Sequence, residues 1–205
     1  RGYSGNTPNL VRQFGAARRQ REGSQGRCGN STCCCRPAKR YVLTMAVWQF
    51  VIDLIPASAA RVAGVAAVRM SRAQLDETVL GFSSADAEVL FLKLGRLLRE
   101  KPSWSASLRI WGDEKADDIQ VGINGQAIED IRFRLNVADL SLPLVGGICD
   151  FARHFDSVLA TPEGAIIQPS REAVMRTIMQ SQAAQYVRDA QRFLDEAIRL
   201  DREGR

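Results

Sequence analysis

Hydrophobic and polar positions fall into a regular period only from about Tyr41 onward, and the first clear pattern is that of a strand. In Ala46–Ile55, Trp48, Phe50, Ile52 and Leu54 alternate with Val47, Gln49, Val51 and Asp53, and Pro56 ends the run. The alternation places Trp48 on the inward face, as core. Residues 57–70, rich in Ala and Val around Gly64, read as irregular or weakly strand-like, and Ser71 caps a short helical turn through Asp76. A confident helix starts at Ser84, with Asp86 and Glu88 in its first turn. Leu90, Leu94, Leu97 and Leu98 recur at helical spacing, cations gather near its end, and Pro102 closes it.

Three strands follow. Ser107–Trp111 leads into the turn at 112–117, Asp118–Asn124 alternates Ile119, Val121 and Ile123, and Gly125-Gln126 is a two-residue hairpin loop. Ala127–Val137 alternates Ile131, Phe133 and Leu135 with polar partners after a bulge at Glu129-Asp130. A second helix begins near Leu142 with Pro143 in its first turn and runs to Phe155. Val158–Ala160 and Ala165–Ile167 flank the turn Thr161-Pro-Glu-Gly164. Ser170 caps a third helix with Val174, Ile178 and Ala183 inward, and Asp189 caps a last one carrying Phe193 and Leu194. This order has too few βαβ units for a doubly wound sheet. It predicts an α+β domain over 45–205: a mostly antiparallel sheet with a central three-stranded meander, helices packed on one side and two C-terminal helices.

Charge divides the chain at Met45. Residues 1–44 hold nine Lys or Arg against Glu22 alone, leaving nineteen bases and twenty-two acids beyond; the net +5 is about +8 on the leader and −3 on the body. The leader's Arg, Gly, Ser, Asn and Gln cannot bury enough surface to offset ordering entropy, so 1–44 is expected to be a disordered basic segment. Three readings fit it: translation upstream of an initiator at Met45, which we favour; a basic arm touching nucleic acid; or a signal with Tyr41–Ile52 as its apolar region and Ala57-Ser58-Ala59 as cleavage site. Cys28, Cys33, Cys34 and Cys35 lack the paired spacing of a zinc site. No apolar run approaches the roughly 20 residues of a membrane span, and a cytoplasmic location without a membrane partner is expected.

Two constellations could carry chemistry. The acidic loop Asp113-Glu114-Lys115-Ala116-Asp117-Asp118 concentrates carboxylates at a strand–turn–strand junction, where acids favour turns, can face a basic partner, or can bind a divalent metal. Asp113, Glu114 and Lys115 also imitate the end of a nuclease carboxylate–Lys motif, without the separate acid that motif needs. Trp111, directly before the loop, is a candidate anchor beside a charged rim. His154 is the sole histidine; Asp150, one turn earlier, could orient it, whereas Cys149 lies about 140° away around the helix. No nucleophile elbow, phosphate loop or cofactor motif is present, and no cofactor is expected.

Trp111-Gly-Asp-Glu-Lys-Ala-Asp-Asp-Ile119, together with Ser181-Gln-Ala-Ala-Gln-Tyr-Val-Arg-Asp-Ala-Gln-Arg-Phe-Leu194, resembles a pattern in small uncharacterised bacterial α+β proteins of immunity-protein type. In these a W-G-D…D-D-I hairpin precedes a charged strand and a closing helix pair; Ala190 stands where they often have Pro. The resemblance covers about Trp48 to Ile198. Its motifs imply no known activity, but such proteins are similar in size and acidity to immunity proteins that neutralise toxins. With the acidic loop and Trp111, the expectation is a non-enzymatic protein-binding domain, of immunity type, that meets a basic protein surface through Trp111, Asp113, Glu114, Asp117 and Asp118. The alternative is a divalent-metal-dependent hydrolase or nuclease using Asp113, Asp117 and Asp118.

Overall fold

In the computed structural model the chain is described for residues 46–203 except 63, 83 and 126. The leader, Met45 and the four clustered cysteines lie outside the described residues. The strand centred on Ile52, β1 (Gln49–Pro56), sits near the middle of a seven-stranded sheet. After it come two two-residue strands, β2 (Arg61–Val62) and β3 (Val65–Ala66), which form a separate small hairpin. Then follow helices α1 (Arg72–Glu77) and α2 (Ser84–Leu97), and strands β4 (Glu100–Lys101), β5 (Leu108–Gly112), β6 (Asp118–Asn124) and β7 (Ala127–Asn136). Helix α3 (Leu142–His154), strands β8 (Ser157–Ala160) and β9 (Ile166–Ile167), and helices α4 (Arg171–Gln180), α5 (Gln182–Arg188) and α6 (Ala190–Glu203) complete the order. The sheet runs β4-β5-β6-β7-β1-β8-β9, every pair antiparallel. The class is α+β.

The period-two alternation explains the main core. Phe50, Ile52 and Leu54 of β1, Ile119 and Val121 of β6, and Ile131, Phe133 and Leu135 of β7 share one face. Onto it pack Leu90 and Leu94 of α2, Val145, Ile148 and Phe151 of α3, Val174 and Ile178 of α4, and Ala183 of α5. Ser141, Ser170 and Ser181 accept hydrogen bonds from backbone amides three residues on, satisfying helix starts that would otherwise leave orphan donors. Ser71 and Gln74 form a reciprocal capping box at α1.

The opposite face of the sheet is buried as well, which simple alternation does not foresee. At one end Ile55, Val158 and Ala160 pack with Ala60, Met70 and Leu75, so α1 lies across the sheet from the other packed helices. At the other end the buried groups are polar: Gln49, Asp118, Gln120 and Arg134. The expected bulge at Glu129-Asp130 is present: β6 and β7 pair Gly122 with Asp130 and then Ile123 with Ile128, leaving Glu129 as the extra residue. Two local expectations change. Trp48 precedes β1 in a turn and is 40% exposed, because the Gln49 amide bonds back to the Ala46 carbonyl and the strand starts only at Gln49. The third helix is two, since Ser181 ends α4 and caps α5.

Candidate functional site

The acidic loop joins β5 to β6 and bends back over the polar face of the sheet. Gly112 makes this bend: its φ of 90° suits glycine, and a Cβ there would lie 2.3 Å from the Asp117 carbonyl oxygen. The Asp113 amide donates to that oxygen at 2.8 Å, and Gln49 reaches from β1 to donate Nε2 to the carbonyls of Glu114 (3.1 Å) and Ala116 (3.0 Å). The loop is therefore fastened to the start of β1, three strands away in the sheet.

Its carboxylates have three different fates. Asp118 is fully buried. The bulge shifts β7 by one residue, so Asp118 faces Arg134 rather than Phe133. Arg134 donates Nε and Nη2 to the two Asp118 oxygens at 2.6 and 2.7 Å, and Gln120 donates to one of them at 3.0 Å. Asp117 is half-buried and accepts the Asn136 amide at 2.7 Å. Burial, with Asp139 and Asp118 nearby, raises its carboxyl above the ordinary range despite that bond. Asp113 is exposed and held below the usual carboxylate range by the Lys115 amide and by Lys101, whose Nζ stands 3.3 Å away. Glu114 is exposed and lies 4.0 Å from the buried Arg134 guanidinium.

Trp111 and Asp118, expected on the partner-binding surface, are thus not available to a partner. Trp111 is 1% exposed. Opposite Ile119 in the register, it turns to the helix-covered face, stacks on Phe91 at 5.7 Å between ring centroids, and lies under the Arg109 guanidinium that Glu100 clamps with two bonds. The residues that surface around the loop are different. The Val137 amide donates to the Trp48 carbonyl, and the turn it opens carries the exposed Asp139 beside Asp117. Exposed Val47 and Trp48 thus lie at the end of the sheet that the turn with Asp139 and the Gln49-fastened loop with Glu114 and Asp117 also occupy, while Asp113 turns to Lys101 on the edge strand β4. Sequence reasoning missed Trp48 because strand alternation assigned it inward, and Asp139 because it is distant in sequence. Trp104 is 75% exposed but sits at the opposite end of β5, about 17 Å along the strand.

The catalytic and metal alternatives find little support in the geometry. His154 is exposed and edge-on to Phe155, and Asp150 pairs with Arg153. Cys149 is buried, which pushes its thiol pKa up. Among the described residues no three His, Cys, Asp or Glu side chains converge on one point, and both Asp118 oxygens are taken by Arg134 and Gln120. A separate cleft of about 220 Å³ under α1 holds Asp53, whose carboxyl burial raises in pKa even though Arg132 grips it through two bonds at 2.7 and 3.3 Å. That pairing neutralises the carboxylate.

A raised native pKa means that the contribution of Asp117 is fully present below its unfolded pKa of about 3.9 and is lost as pH rises through the native value. Asp117→Asn keeps an oxygen for the Asn136 amide and removes the charge. Thermal melts should show the variant equal to or modestly above the parent at pH 7, the difference vanishing toward pH 3. A variant clearly less stable at pH 7 would show that the charge itself holds the loop.

No known protein family, characterised protein or solved structure matches the chain. Among the described residues no helix is long and apolar enough to cross a membrane.

Proposed function

We propose that the folded domain is a non-enzymatic protein-binding module that docks a basic partner on the corner formed by Val47, Trp48, Asp113, Glu114, Asp117 and Asp139. The observation that carries this reading is an exposed tryptophan held by backbone bonds at the same end of the sheet as a fastened loop with three accessible carboxylates and the neighbouring turn that carries Asp139. Interfaces concentrate their energy in such rigid aromatic anchors, and a surrounding field of one sign steers a partner of the other. The resemblance noted above extends the proposal to an immunity-type role in the cytoplasm of a bacterium, where covering the basic surface of a toxin would neutralise it.

Affinity capture from the source cell at low salt tests this reading. One basic protein should be retained by the full chain, retained by His154→Ala, and lost with Trp48→Ala or Glu114→Lys. A tryptophan anchor of this kind is worth about 2 kcal/mol of binding, whereas neither change should move the melting temperature much. The metal-dependent hydrolase reading is tested beside it by titrating Mg2+ and Mn2+. The expected result is an unchanged melt, because a divalent ion bound only by the native state would raise it; a saturable rise lost in Asp117→Asn would favour the hydrolase.

A further inference from the structure

The acidic loop is held to the sheet by a few attachments, and one of them carries a titratable group. Gln49 and Asn136 stand opposite each other at the ends of β1 and β7. Gln49 donates to the carbonyls of Glu114 and Ala116, and Asn136 donates its backbone amide to the Asp117 carboxylate at 2.7 Å. Asn136 also opens the turn that follows, its side chain accepting the Ala138 amide, so the seam joins loop, strand end and turn. Two carboxylates act on Asp117 across this seam, Asp139 from the turn and Asp118 from β6. Asp118 is balanced by Arg134, whereas among the described residues no cation pairs with Asp117 or Asp139. The other charges nearby are engaged elsewhere or face water: Asp113 meets Lys101 on β4, Glu114 lies 4.0 Å from the Arg134 guanidinium, and Lys115 is exposed. Asp117 is thus a half-buried carboxylate beside two others, with one amide donor to set against them, and such surroundings disfavour its charge.

We propose that this seam is a proton-operated clasp: with Asp117 neutral the loop is held against the sheet, and as Asp117 ionises the loop lifts away more readily. Lifting hydrates the charge and takes it from Asp118 and Asp139; a neutral carboxyl gains neither and stays on Asn136. The carboxyl's place above the ordinary range, where burial outweighs the Asn136 bond, agrees with this direction. A group so raised supports the closed loop fully below its open-loop pKa of about 3.9, and that support is lost as pH rises through the closed-loop value. Asp113 acts in the opposite sense but in stronger acid, because the Lys115 amide and Lys101 hold it below the usual range. From about pH 4 upward the trend therefore belongs to Asp117. The loop also carries Asp113 and Glu114 of the docking corner, so a looser loop at neutral pH would let them re-aim toward a partner. The clasp itself is a property of the free chain, and its test involves no partner, so it and the docking reading can fail separately.

The test is NMR on the full chain, following the Asp117 carboxyl carbon by titration and the Asn136 and Val121 amides by hydrogen exchange between about pH 4 and pH 7. Opening at Asn136 should grow with pH, approaching tenfold for each unit by which the measured Asp117 pKa exceeds about 3.9. At every pH Asn136 should exchange faster than Val121 in the core, as a local opening requires. Asp117→Asn keeps an acceptor for the Asn136 amide and should hold its protection constant, near the level of the wild type in acid. Asp139→Asn should weaken the pH dependence and bring the Asp117 titration closer to the ordinary value. The proposal is overturned if Asp117 titrates at or below about 3.9. It is overturned equally if protection of Asn136 stays constant or rises with pH in the wild type, or if Asp117→Asn shows the same dependence. Equal protection of Asn136 and Val121 also overturns it, because the loop would then leave only when the whole domain unfolds.

Discussion

Arg134→Ala is expected to destabilise the domain by roughly 3–5 kcal/mol, the penalty of stranding one member of a buried ion pair. Asp118 would keep its fully buried position and lose the two bonds that Arg134 gives it, leaving Gln120 as its side-chain donor. Against a net stability of about 5–15 kcal/mol this is a large fraction, and at this chain length it lowers the melting midpoint by roughly 10 °C. One control identifies the cause. Replacing both members, Arg134→Met with Asp118→Leu, should recover much of the loss, since apolar residues of similar volume often substitute for a buried pair without penalty. A deficit below about 1 kcal/mol for Arg134→Ala, the size seen for exposed pairs, would contradict the buried pairing.

Trp111→Ala should cost a similar amount, about 3–5 kcal/mol, through the cavity left between α2 and the sheet. The side chain is enclosed by Phe91, Ile119 and the Arg109 guanidinium, so little can move in to fill the space. Trp48→Ala, by contrast, should change stability only slightly, because 40% of that residue already faces solvent. Equilibrium denaturation of the two variants side by side checks the assignment. Near-equal losses would mean that the structural roles given to the two tryptophans are wrong.

Those two residues also show how far the sequence could be read. Alternation located β1, β6 and β7 and their inward residues because apolar and polar positions there keep strict period two, and the serine caps located helix starts because a side-chain acceptor at that position satisfies orphan amides. Alternation failed where a turn interrupts it: the Gln49 amide closes on the Ala46 carbonyl, so Trp48 is out of phase with the strand it precedes. It was also blind to the second buried face. Asp118 and Gln120 in β6 and Arg132 and Arg134 in β7 are the polar halves of two alternating strands, so a cross-strand ion pair was readable in principle. Counting back from the hairpin gives Asp118 opposite Phe133; only the extra residue at Glu129 brings Arg134 into line. Acid-rich sequence between two strands reads as a solvated tip, whereas here Gln49 draws the loop onto the sheet. A contact between residues 65 positions apart leaves no local signal.

The central claim, that the acidic corner with Trp48 is where a protein partner docks, is tested most directly by association kinetics of the captured partner with the wild-type chain, Trp48→Ala, Glu114→Lys and His154→Ala at low and at high ionic strength. Glu114→Lys should slow association at low salt, with the difference fading as salt screens the field, and Trp48→Ala should chiefly speed dissociation. His154→Ala should match wild type throughout. Unchanged rates for both corner variants, with binding abolished by His154→Ala, would contradict the account.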